Sequence, residues 1–327
     1  MTMTSRPTTS PVEPAVTPQR GRAADAVRAN LGLLAAIVSA ASFGTAGPFA
    51  KSLLHAGWTP GAVVLIRISV AGLILLPFAA TAMHGRWTVL RANARLIAIF
   101  GVVSVALPQL AYAQAVQRLS VGVALLLEYS GVVLVVLFVW WRTGRAPSPL
   151  TTLGALVALG GLAFVLGIGS GTSLDLVGVL WGLAAAVGLA AYFLTAGHGD
   201  GTLPPVALAA FGMVVGGVSL GVLGLLRVLP MTFATEDVVI AGSPWPWWTA
   251  LLELAAIAAA AAYLLGTYAV RRLGATVSSF VGLSEVLFAI LFAWLLLGEM
   301  LQPSQLLGGL LVVAGVVGVK VGEARTA

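Results

Sequence analysis

Cysteine is missing from this 327-residue chain, histidine occurs three times, and only 9% of the residues are charged. The first absence excludes disulfides, thiol nucleophiles and thiolate metal sites, and leaves the redox compartment undetermined. His55, His84 and His198 stand apart from one another, and no His-Glu-x-x-His run occurs. Neither Lys51 nor Lys320 follows glycine in a phosphate-loop pattern, so zinc hydrolysis and direct use of ATP have no motif to rest on. "GVSLG" at 217–221 matches G-x-S-x-G, but it lies within an apolar run with no strand before it and no histidine in reach, and the match is accidental. No enzyme class, cofactor or metal is expected.

Scarcity of charge also settles the solvent. An ordinary soluble domain is about 25% charged, whereas this chain is 9% charged and 59% hydrophobic. It has too little polar surface for water and reads as an all-α integral membrane protein. The net charge of +6 does not point to nucleic acid, because the basic residues sit singly at the ends of apolar runs. Residues 1–29 are rich in Thr, Pro, Ala and Arg without apolar periodicity, which reads as a disordered tail, and they contain no signal-peptide pattern.

Ten apolar runs are long enough to cross a hydrocarbon core of about 30 Å. They cover 31–53, 61–83, 96–117, 120–141, 150–169, 175–196, 204–226, 248–270, 274–297 and 304–320. An even number of spans puts both termini on one side. With a cytoplasmic N-terminus, Arg6, Arg20, Arg22, Arg28, Arg86, Arg91, Arg95, Arg142, Arg145, Arg271, Arg272, Lys320 and Arg325 fall inside, and only Lys51, Arg118 and Arg227 fall outside. This asymmetry predicts cytoplasmic ends in a plasma or inner membrane. Trp58, Trp245, Trp247 and Trp248 then fall at the outer interface as an aromatic belt.

A shift of 154 residues lays one half of the chain on the other. Ser130 meets Ser284, Phe138 meets Phe292, Trp140 meets Trp294, Pro149 meets Pro303, Gly154 meets Gly308 and Gly161 meets Gly315, while "AVQRL" at 115–119 meets "AVRRL" at 269–273. Each copy holds five spans, an odd number, so the second enters the membrane inverted. Inverted repeats about a midplane site are a mark of secondary transporters. The expected organisation is a tail (1–29), a first repeat (30–169), a second repeat (170–320) and a C-terminal tail (321–327).

The stretches "GTAGPFAKSLL", "VLIRISVAG" and "SFVGLSEVLFAILFAWLLLGEMLQPSQLLGGLLVVAGVV" resemble the EamA family of the drug/metabolite transporter superfamily over residues 30–320, most specifically in "LLLGE-x-L-x-x-x-QLLGG". The resemblance implies ten helices in two inverted repeats, a central cavity and movement of small metabolites, often outward. The proline that the family pattern often carries at Ser130 or Gly131, and again at Val286, is absent, which weakens the expectation of broken helices there.

Four ionisable residues lie within the runs. Glu128 is roughly 12 Å below the outer end of its span and Glu285 roughly 16 Å from the inner end of its own, both near the midplane. Each either faces a cavity or fixes the bundle by hydrogen bonding. Arg67, roughly 10 Å from the outer end, either snorkels outward or serves as counter-ion to Glu128 or anchor for a substrate carboxylate. Glu253, beside the tryptophans, reads as solvated at the interface. Pro108 removes a donor at mid-span, Gln109 and Tyr112 share a helical face, and Ser42 and Thr45 lend polarity to the first span. Trp181, Tyr192 and Tyr268 add aromatic surface to the second half. The candidates for substrate and proton binding are therefore Glu128, Glu285, Arg67, Gln109, Tyr112 and Tyr268.

The expected activity is secondary transport of a small metabolite, amino-acid-like or otherwise polar or amphipathic, outward by alternating access with protons as a candidate co-substrate. A lipid-head-group flippase and an uncoupled facilitator of the same fold remain the alternatives. The partners are the substrate and the bilayer, and the sequence leaves the oligomeric state open.

Overall fold

The computed structural model describes residues 19–116, 118, 121–144, 146–165, 175–197, 202–297 and 303–326. The expected tail up to residue 18, His198, Arg145, the end of the fifth span at 166–169 and the "GEMLQ" motif at 298–302 lie outside the described residues. Hydrocarbon offers no hydrogen-bond partner to a backbone, so apolar runs must satisfy their own amides, and they do so as helices. In chain order these are α1 (Gln19–Gly44), α2 (Ala46–His55), α3 (Pro60–Ala82), a short α4 (Trp87–Ala92) and α5 (Ala94–Ile99), which passes through a π-helical stretch, Phe100–Ala106, into α6 (Leu107–Val116). Then follow α7 (Val121–Tyr129), α8 (Gly131–Thr143), α9 (Pro149–Val165), α10 (Leu176–Ala196) and α11 (Pro205–Leu225). After strands β1 (Val238–Ile240) and β2 (Ser243–Trp245) come α12 (Trp247–Ala255), a second π-helical stretch Ala256–Ala261, α13 (Ala262–Leu273), α14 (Ala275–Gly282), α15 (Ser284–Leu297) and α16 (Pro303–Thr326).

Among the described residues, seven helical runs are long and apolar enough to cross a membrane, with shorter apolar helices at Pro149–Gly161 and Leu307–Val319. Two ends differ from expectation. Residues 19–29, assigned to the tail, are helical, and α16 runs past residue 320 to Thr326. Arg, Ala and Glu are good helix formers, so the charges that end an apolar run do not end a helix.

Three runs are broken rather than continuous, at Thr45, Ser130 and Leu283. The second and third breaks form without the family's proline. At each, a serine hydroxyl takes a carbonyl three residues back, Ser130 to Leu127 at 2.5 Å and Ser284 to Val281 at 2.6 Å. Such back-bonding competes with the helical ladder.

The two halves pack reciprocally. α1 lies against α13, α14 and α15, while α10 lies against α6, α7 and α8; α3 pairs with α11, and α9 with α16. Along α9 and α16 the contacts exchange: a Cβ on Gly154 would meet the Gly315 carbonyl at 2.8 Å, and one on Gly161 would meet the Gly308 carbonyl at 2.7 Å. Without side chains at these points the backbones approach closely, the usual means of helix association where lipid removes the hydrophobic drive. The main core lies between α3, α10, α11 and α13, around Ile68, Tyr192, Met213 and Tyr263.

The strands form an antiparallel hairpin, with Val238 opposite Trp245, closed by Ala241 and Gly242 at φ of 50° and 74°. Positive φ at both central positions matches the twist of a two-residue hairpin turn. Val238 and Ile240 bury against Leu53, Trp58 and Leu254. The expected aromatic belt therefore divides. Trp245 and Trp248 are exposed, but Trp58 is only 6% exposed and packs its ring on Phe233 and Trp247.

Gly154→Val and Gly315→Val should force α9 and α16 apart at an overpacking cost of about 1–3 kcal/mol each. Gly160→Val should be neutral, because a Cβ there meets nothing within 4 Å. Heat-survival curves of a fluorescent fusion, read by size exclusion, should separate the first two variants from the third.

Candidate functional site

A cavity of about 360 Å³ runs through the bundle from Ala36 on α1 and Ala269 on α13 to Leu54 on α2 and Pro60 on α3. Arg67, Gln109, Tyr112, Glu128 and Glu285 all line it. Its volume suits one small metabolite, and its wall is mostly apolar with a few converging polar groups, the usual composition of a ligand site.

The helix breaks position the carboxylates. Glu128 is the penultimate residue of α7, just before the break at Ser130. Glu285 is the second residue of α15, just after the break at Leu283. A broken helix in a membrane exposes unpaired backbone groups, which is tolerable only where they are buried in protein or line a cavity. Tyr129, next to Glu128, lines the same cavity as Glu285.

Arg67 does not snorkel. Its Nη2 donates to the Ala258 carbonyl at 2.6 Å, inside the π-helical stretch that joins α12 to α13. A π stretch disturbs the regular ladder and is common at functional sites. Nor, among the described residues, does Arg67 bond Glu128 directly. Its Nε is buried without a partner among the described residues.

Gln109 on α6 donates from Nε2 to the Tyr263 hydroxyl on α13 at 3.2 Å. These positions are 154 apart, the offset of the internal sequence match, so residues in equivalent places touch each other beside the cavity. The π stretches at Phe100–Ala106 and Ala256–Ala261 overlap under the same shift. Pro108 follows the first stretch closely; the second is built of alanine and isoleucine, with no local sequence cause. Tyr263 packs edge to face on Phe43 at 5.2 Å and on Tyr192 at 5.3 Å. Gln109 Oε1 and the Tyr192 hydroxyl are buried and unpartnered among the described residues, which leaves an acceptor and a hydroxyl free for a polar ligand.

Two sequence expectations change. Tyr268 does not line the cavity; it faces a separate shallow groove with Leu31 and Pro205, and the Arg272 guanidinium lies 5.1 Å over its ring. Glu253 is not solvated at the interface. It turns inward to accept the Thr45 hydroxyl, and its Oε2 is buried without a partner among the described residues. Tyr263 and Tyr129 join the site without having been singled out. Tyr129 adjoins Glu128, and Tyr263 stands 154 residues from Gln109, so the repeat shift was the signal that could have found the second.

Two stretches, 30–167 and 176–321, match the model of the EamA-like transporter family. The chain is 27% identical over 308 residues to the uncharacterized inner membrane transporter YicL of Salmonella typhimurium, covering 90% of this chain and 97% of that protein. It is 28% identical over 286 residues to the threonine/homoserine exporter RhtA of Escherichia coli K12, covering 86% and 88%. One crystal structure shares the fold with a TM-score of 0.63 at 17% identity, covering 93% of this chain and 99% of that one.

Gln109→Leu and Tyr263→Phe should each destabilise the protein by about 1 kcal/mol, since each leaves a buried polar partner unpaired. Removing both should cost less than the sum, with an interaction of about 0.5–1.5 kcal/mol. A double-mutant cycle on thermal unfolding in detergent measures it, and additivity would mean that the contact contributes nothing.

Proposed function

We propose that this chain, which belongs to the EamA-like transporter family of the drug/metabolite transporter superfamily, exports a small zwitterionic metabolite of the amino-acid kind by alternating access. The carrying observation is the bipolar cavity, lined by one guanidinium, Arg67, and two carboxylates, Glu128 and Glu285, among mostly apolar groups. A zwitterion is the ligand class that complements both signs. Its carboxylate would take Arg67, whose Nε is free, and its amine would take Glu128 or Glu285. Gln109, Tyr112 and Tyr192 would read the remaining polar groups. Similarity to a threonine/homoserine exporter supports the class.

The architecture of this reading is ten helices in two inverted repeats, 30–169 and 170–320, rocking about the axis beside Gln109 and Tyr263, with both termini cytoplasmic. Reciprocal packing of the halves and the paired π stretches support it. Charge balance supports proton coupling. With both carboxylates ionised, Arg67, Glu128 and Glu285 sum to one negative charge, and a zwitterion leaves that unchanged. One proton neutralises the loaded cavity, which makes proton-for-substrate exchange available to a site that must cross low dielectric.

Cells that accumulate threonine or homoserine should release it faster when they express this protein. Glu128→Gln and Glu285→Gln should each lower that efflux at least tenfold with normal membrane insertion, and collapsing the pH gradient should slow the native protein. Efflux equal to that of empty-vector cells for amino acids with normal insertion would overturn the substrate class. Efflux indifferent to the gradient would remove the proton.

A further inference from the structure

The groove that holds Tyr268 shares no lining residue with the central cavity. α13 contributes Leu264, Leu265 and Tyr268 to it, α1 contributes Leu31, Leu34 and Val38, and the first turn of α11 closes one end around a volume of about 530 Å³. Leu31, Leu34 and Val38 are all exposed. The three helices belong to runs long and apolar enough to cross a membrane, so the medium over these side chains is the bilayer.

The groove has a direction. A Cβ on Gly32 would meet the Arg272 Cβ at 2.8 Å, while Ser39 Oγ donates to the Ala262 carbonyl at 2.7 Å, so α1 and α13 run antiparallel. Leu31 therefore stands level with the end of α13, and Val38 and Leu264 lie about 10 Å deeper at 1.5 Å per residue. The shallow end carries Arg272, in the last turn of α13, and Pro205, the first residue of α11. The deep end is aliphatic. A charged rim at the helix ends and an apolar trough leading inward have the polarity of a phospholipid in its leaflet.

Arg272 supplies the charge. Its guanidinium stacks 5.1 Å over the Tyr268 ring and makes no hydrogen bond or ion pair among the described residues. Stacking uses the face of the guanidinium and leaves the N–H donors at its edge for a fork-like contact with phosphate. Its neighbour Arg271 is already engaged, donating to the carbonyls of Ala196 and Leu203. One arginine ties the fold and the other is left at the mouth of an apolar groove. We infer that this groove binds an anionic phospholipid, with an acyl chain along Leu34, Val38, Leu264 and Leu265 and the headgroup phosphate on Arg272, in the leaflet on the side where α13 ends. A net negative headgroup balances the unpaired guanidinium, whereas phosphatidylcholine brings its own cation to the same rim.

The test needs no transported substrate. Purified protein in detergent is titrated with dioleoylphosphatidylglycerol or dioleoylphosphatidylcholine, and retained lipid is counted by native mass spectrometry. The native protein should retain one phosphatidylglycerol at about fivefold lower lipid concentration than phosphatidylcholine, the factor expected of one arginine at a lipid surface. Arg272→Gln should abolish this preference without weakening phosphatidylcholine. Arg95→Gln, which removes the same charge from an exposed position on α5, should keep it. Leu34→Trp fills the groove from an exposed position and should lose the retained lipid of either kind, which tests the groove even where Arg272→Gln fails to fold. Equal retention of the two lipids by the native protein, or the same response to Arg272→Gln and Arg95→Gln, would overturn the inference and leave an ordinary shell lipid. Unchanged retention in Leu34→Trp would place the lipid elsewhere and overturn it equally.

Discussion

Burying a guanidinium and two carboxylates around one cavity inside an apolar bundle is the constraint on which the rest depends. None of Arg67, Glu128 and Glu285 can face hydrocarbon, so the bundle must supply an inner wall. That wall is made by interrupting helices. Glu128 and Glu285 stand beside the breaks at Ser130 and Leu283, and the π stretch at Ala256–Ala261 offers Arg67 a carbonyl. Each irregularity would be costly against lipid and is acceptable around a cavity. Polar side chains and broken helices are therefore one feature rather than two.

The interrupted helices need stiff neighbours, and glycine supplies the means. α9 and α16 lock through Gly154, Gly161, Gly308 and Gly315, away from the cavity. At the α8 end of the broken span, a Cβ on Gly131 would lie 2.4 Å from the Ala186 carbonyl of α10, so the break sits directly against a neighbouring backbone. Close backbone contact holds these segments in register while side chains around the cavity keep unfilled hydrogen-bonding capacity. The contrast separates a frame from a working interior: bonds are saturated or packed tight in the first, and left open at Arg67, Gln109, Tyr192 and Glu253 in the second.

Contact between residues 154 apart gives the halves a shared centre. Gln109 meets Tyr263 beside the cavity, and neither residue is the chemical equivalent of the other. The two halves share a frame but not the same polar groups. Arg67 belongs to the first half and Glu253 to the second, and Glu128 and Glu285 flank their breaks on opposite sides, one before and one after.

Composition and hydropathy by themselves determined that this is a helical membrane protein and where its apolar runs lie, and residue matches at a shift of 154 exposed the likeness of its two stretches. They also exposed Arg67, Glu128, Glu285, Gln109 and Tyr112, because a polar residue inside an apolar run is a one-dimensional signal that survives without any knowledge of packing. What a linear pattern could not hold is the rotation of each helix about its axis and the places where it breaks, since both are set by neighbours far along the chain. Tertiary structure therefore decided that Tyr263 rather than Tyr268 faces the cavity, although both lie on α13. It placed irregular residues at Ser130 and Leu283, where no proline stands. It also turned Glu253 inward to Thr45, a partner 208 residues away, because a carboxylate near the interface goes to water or to protein according to which surface packs over it.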